Sequence, residues 1–147
     1  MPFSVTLAQE NTASRERLRS LFSRLDDSQY NIPLDADWTV GTALAHVAVF
    51  DCRAFEILQQ WERAGVAASP NDVDIINAAL LPFLRELSPA SISKLALDYA
   101  EKLDTKLAAV SDAVLDQFDT VAQHPFSLSR AKHRNEHIDQ IEQALKV

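Results

Sequence analysis

A chain of 147 residues, 47% apolar and 24% charged, is long enough to close one hydrophobic core and reads as a single domain over residues 1–147. Its formal charge of −7, without any Lys/Arg-rich run, leaves no electrostatic footprint for nucleic acid or for an anionic membrane. Two glycines in the whole chain disfavour a fold built on many tight turns and favour long helices.

The first helix is predicted from about Ser4 to Leu25. Leu18, Leu21, Phe22 and Leu25 recur at helical spacing, and Arg15, Glu16, Arg17 and Arg19 are expected to face water. The segment DDSQYNIPLDAD, Asp26 to Asp37, has the Asp, Ser, Asn and Pro content of a loop. The next helix takes Thr39 as N-cap and ends at Gly65. Val40, Leu44, Val47, Ala54, Leu58 and Trp61 form one stripe along it, with His46, Phe50, Arg53 and Ile57 beside it. Two adjacent stripes predict the most buried helix of the molecule. Trp38, just before it, reads as structural, closing one end of the fold.

A third helix is expected from about Asn71 to Leu87, kinked or with its hydrogen-bond ladder locally broken at Pro82. Ser88-Pro89 reads as an N-cap followed by proline at the first helical position. Ile92, Leu95, Tyr99, Leu103, Leu107 and Val110 then give a near-heptad seam. Ser111-Asp112 opens a short helix, AVLDQF, and after the loop His124–Phe126 the final helix is expected from Ser127 to Val147. The chain is therefore expected to be an all-α, up-and-down four-helix bundle with a short extra helix. No apolar run approaches the ~20 residues of a bilayer crossing, and the N-terminus lacks the pattern of a signal peptide. With Cys52 as the single cysteine, a cytoplasmic location is expected; Cys52 itself reads as a small filler rather than a nucleophile.

The chemistry gathers on the last helix. His133 and His137 are four residues apart and lie one above the other on one helix face, so two imidazoles can bind one ion. His46, on the most buried helix, is the third candidate ligand. Three imidazoles with further positions open are the pattern of a catalytic rather than a structural metal site, suited to zinc or nickel. His124, next to Pro125 in a loop, is not expected to join them. HRNEH also satisfies the H-x-x-E-H signature of inverzincin peptidases, but a small helical chain offers no peptide cleft. Glu136 is a candidate catalytic group, able to hydrogen-bond a metal-bound water, or else a solvated partner of Lys132. Arg53, two turns from His46, is a candidate for holding an anionic substrate or a thiol carboxylate. Asp51 could pair in the neighbourhood of Arg53 or support a ligand.

The segment WTVGTALAHVAVFD, with Trp38 opening the helix and His46 eight residues on, together with HRNEH on the last helix, resembles the DinB superfamily. Its maleylpyruvate-isomerase N-terminal-like and mycothiol-dependent branches are the most similar. The resemblance covers the chain's length and helix order. It implies that His46, His133 and His137 bind a divalent metal. It also implies an S-transferase-like enzyme, in which a low-molecular-weight thiol (mycothiol, bacillithiol or glutathione) attacks an electrophilic small molecule. The isomerase branch carries a further domain, whereas this chain ends ten residues beyond His137, so maleylpyruvate isomerisation is not expected. Two other readings stand beside this one: a non-catalytic metal-binding or homodimeric interaction module, and a hydrolase whose metal activates water.

Overall fold

The computed structural model describes residues 3–69, 72–121 and 123–146. Among these the chain is all-helical: α1 (Val5–Arg24), α2 (Val40–Ala64), α3 (Val73–Leu84), α4 (Pro89–Ala109), α5 (Asp112–Phe118) and α6 (Arg130–Leu145), with a 3₁₀ turn at Asp27–Asn31. The four longer helices close a cycle of contacts, α1 against α4 and α6, and α2 against the same two. No helix among the described residues is long and apolar enough to cross a membrane.

The starts of these helices follow from local chemistry. Thr39 and Thr42 form a capping box at α2, Ser88 caps α4 ahead of Pro89, and Ser111 caps α5. At its other end α2 stops at Gly65, whose φ of 92° is open to glycine and strained for other residues. The first stripe of α2, from Val40 to Trp61, is buried throughout. The second stripe behaves differently: Ile57 is buried, but His46, Phe50 and Arg53 also border a cavity.

Several expectations are corrected. The segment 26–37, expected as a loop, contains a 3₁₀ turn at Asp27–Asn31. Asp26 and Gln29 form a capping box for the 3₁₀ turn, and Leu34 N donates to Trp38 O at 2.8 Å while Val40 N donates to Ile32 O at 3.0 Å. This folded connection carries Trp38 up to the start of α2. Tyr30 packs so close to that start that a Cβ on Gly41 would lie 3.1 Å from Tyr30 O. Arg15 and Arg17 are not simply solvated: Arg15 pairs with Asp104 of α4, and Arg17 with Asp139 and Glu142 of α6.

On α4 the fully buried line is Ile92, Ala96, Ala100, Leu103 and Leu107, leaving Leu95 and Tyr99 half-buried. The third helix is shorter than expected and ends at Leu84, two residues after Pro82. The expected start at Asn71 and the expected end of the last helix at Val147 lie outside the described residues. The last helix begins at Arg130, not at Ser127. Its first amides are capped from another helix: Asn11 of α1, fully buried, accepts from Arg130 N at 2.8 Å and Ala131 N at 3.0 Å. The Asn11 amide in turn donates to Leu128 O.

Candidate metal centre

His133 and His137 are four residues apart on α6, and α2 packs against that helix with His46. Helical periodicity puts the α6 pair on one face, and the α2–α6 contact brings the third imidazole to them. Their ligand-capable nitrogens lie within 4.8 Å of one another. The ring centroids form a nearly equilateral triangle, with sides of 5.0, 4.8 and 4.9 Å. His46 Nε2 and His133 Nε2 face each other at 3.0 Å. All three rings line a cavity of about 790 Å³, bordered also by Trp38, Phe50 and Arg53. That volume is in the range of sites for small molecules.

Buried charge links α2 to α6. Asp51, fully buried five residues beyond His46, accepts from Arg130 Nε at 3.0 Å and Arg134 Nε at 2.9 Å. Its partners are therefore these two arginines of α6, where the sequence suggested the neighbourhood of Arg53. Arg134, also fully buried, donates further to Asp104 of α4 at 2.9 and 3.0 Å, and to Asn11 O and Ser14 Oγ of α1. Burial works against the Arg134 charge, but Asp51 and Asp104 outweigh it and hold its pKa above the ordinary arginine value. Because Arg130 and Arg134 flank His133 in sequence, their pairing with Asp51 holds the turn of α6 that carries His133 against α2.

Electrostatics keep the imidazoles neutral. Burial, reinforced by the neighbouring His137, lowers the His46 pKa to about 4. His133 is lowered further, by burial first and then by the charges of His137, Arg130, His46 and Arg134. His137 is lowered by burial against the opposing effects of Gln140 and Glu136. At neutral pH each ring therefore offers a lone pair instead of a charge, which is the state a metal ion requires.

His46 has a partner that fixes its tautomer. Its Nδ1 donates to Asn77 Oδ1 of α3 at 3.0 Å, leaving the Nε2 lone pair turned toward the cluster. His133 Nδ1 and His137 Nδ1 are buried without a hydrogen-bond partner among the described residues. The three residues fit a divalent ion. With zinc–nitrogen bonds of about 2.1 Å, tetrahedral ligand atoms stand about 3.4 Å apart, between the 3.0 Å of the His46–His133 pair and the 4.8 Å limit of the cluster.

Glu136 is exposed and does not border the cavity. Arg53 does border it, and its Nη1 donates to Pro125 O at 2.5 Å. Trp38 meets His46 edge-on, with ring centroids 5.5 Å apart, and is thus a wall of the site as well as a closing residue. His124 stands apart from the cluster, near Asp119 and against the Phe118 ring. Cys52 faces a separate apolar cavity of about 210 Å³ beside Tyr99.

Sequence reasoning missed Asn77, Arg130 and Arg134. Asn77 carries a signal, being a lone amide inside the apolar run IINAALL, where a polar side chain asks for a partner. The two arginines carry none, since charged residues on a helix next to Lys132 and Glu136 read as a solvated face. Comparison of the chain with protein-family models, curated proteins and solved structures finds no match in any of the three.

Proposed function

We propose that this chain is a metal-dependent enzyme of the DinB-like type, a four-helix bundle formed by α1, α2, α4 and α6, which uses a low-molecular-weight thiol on an electrophilic small molecule. The observation that carries the reading is the convergence of His46, His133 and His137, neutral and partly buried, on the wall of a cavity large enough for a small molecule. His46, His133 and His137 would hold the ion, zinc or nickel by the chemistry of the donors. A divalent metal bound there lowers the pKa of a coordinated thiol, supplying thiolate at neutral pH.

Charge favours a thiolate as the further ligand. Three imidazoles contribute no negative charge to offset a divalent ion, and behind them Arg15, Arg130 and Arg134 outnumber Asp51 and Asp104 by one. An anionic ligand compensates this excess, whereas a neutral water does not. Asn77 orients His46, and Trp38 and Phe50 pack against its ring, keeping bulk water from that side. The sulfur–carbon bond forms as the electrophile loses its leaving group or accepts the electron pair, and the thiol proton goes to solvent.

The test is metal content of protein prepared without chelator or affinity metal, beside His46→Ala, His133→Ala and His137→Ala. About one ion per chain, lost in each variant, is the expected result. Metal-loaded protein is then expected to consume 1-chloro-2,4-dinitrobenzene only when a thiol is supplied. Protein that binds no zinc or nickel, and is not stabilised by either, would end the reading. Bound metal with thiol-independent turnover would point to a hydrolase instead.

A further inference from the structure

One wall of the histidine cavity is cationic. Arg53 of α2 and Arg130 in the first turn of α6 both border it together with His46 and His133. Arg53 is held against the preceding loop by its bond to Pro125 O, and Arg130 by Asp51 and Ser127 O. The two guanidinium groups are close enough that, after burial, the charge of Arg130 is what lowers the Arg53 pKa. Behind them the buried network sets Arg15, Arg130 and Arg134 against Asp51 and Asp104. Three positive charges against two negative ones is an excess of cation inside a chain whose net charge is −7. The acidic groups of the cavity, Asp35, Asp37 and Asp74, come from the connection before α2 and from α3, not from the α2–α6 wall.

Asp51 already pairs with Arg130, and two guanidinium groups lining one partly desolvated wall attract a further anion more strongly than either alone. Guanidinium matches a carboxylate in shape and in donor geometry. We infer that Arg53 and Arg130 form a carboxylate-binding subsite of this cavity, so that the thiol used at the histidine centre is one that carries a carboxylate. The sulfur part of this inference rests on the function proposed above; the subsite stands on the arginine pair alone. A ligand anchored there by its carboxylate presents its other end to the histidines, and an uncharged thiol has no such anchor.

The experiment has two arms. In the first, succinate is titrated into the metal-free full chain and followed by NMR of the arginine side chains. Saturable shifts at Arg53 and Arg130 are expected, absent in Arg53→Met and weakened in Arg53→Lys, which keeps the charge but not the fork. No shift, or equal binding by Arg53→Met, overturns the subsite. In the second, cobalt-loaded protein is titrated with mercaptosuccinate and with 2-mercaptoethanol, reading the sulfur-to-cobalt charge-transfer band. Mercaptosuccinate is expected to bind about tenfold more tightly, with Arg53→Met abolishing that advantage and leaving 2-mercaptoethanol unaffected. Equal affinities overturn the claim about the thiol. Cobalt that binds but shows no band with either thiol removes the thiol reading, while the succinate arm still decides the subsite.

Discussion

A histidine becomes a ligand through what its second nitrogen does, and here that is most visible at Asn77. Its Oδ1 accepts from His46 Nδ1 at 3.0 Å and so leaves Nε2 as the donor atom facing the cluster. Partners of this kind typically change metal affinity by about 10–100-fold. Asn77→Leu is therefore expected to weaken zinc binding by about tenfold, and Asn77→Asp, which makes the imidazole more basic, to strengthen it. Competition against a chromophoric chelator measures both. Helix α3 buries little apart from Leu84, so circular dichroism should show both variants as helical as the parent. Equal affinity across the three proteins would mean that His46 is oriented by packing against Trp38 and Phe50 instead.

At the scale of the element, α6 shows where local sequence stops being informative. Ser127 has the chemistry of an N-cap, yet the helix starts at Arg130, and Ser129 makes no side-chain cap. The first two amides are satisfied by Asn11, on α1, more than a hundred residues away in the chain. A cap supplied over that separation leaves no spacing to read. By contrast the boundaries of α2, α4 and α5 were legible because their caps, Thr39, Ser88 and Ser111, are local. The hydrophobic stripe of α2 was legible for the same reason: burial on one face imposes a period of 3.6. Asn11→Leu removes the cap and leaves two buried N–H groups unpaired, at a cost of about 2–3 kcal/mol. Hydrogen exchange at Arg130 and Ala131 should accelerate well beyond that of amides in the middle of α6. If those two amides stay protected, water or a shifted Ser129 has replaced the cap and the assignment to Asn11 is wrong.

At the scale of the molecule, helical periodicity revealed an all-helical chain and three histidines on two helices, but not what aligns those helices. Hydrophobic stripes tolerate sliding by a turn; a shared ion network does not. Arg134 on α6 bonds to Asn11 O and Ser14 on α1, Asp51 on α2, and Ala100 O and Asp104 on α4. One side chain thus ties the four longer helices together, directly beside His133. A buried pair need not add net stability over an apolar replacement of the whole network, but deleting one member strands the others. Arg134→Met leaves Asp51 and Asp104 each with a single arginine, and its expected cost is about 3–5 kcal/mol, read from urea unfolding of the metal-free chain. Arg134→Lys keeps the charge, yet a single ammonium cannot reach α1, α2 and α4 at once, so less than half of that loss should be recovered. A lysine variant as stable as the parent would show that charge alone matters. A methionine variant within about 1 kcal/mol of the parent would show that apolar packing already fixes the register of α2 on α6, and with it the meeting of His46 and His133.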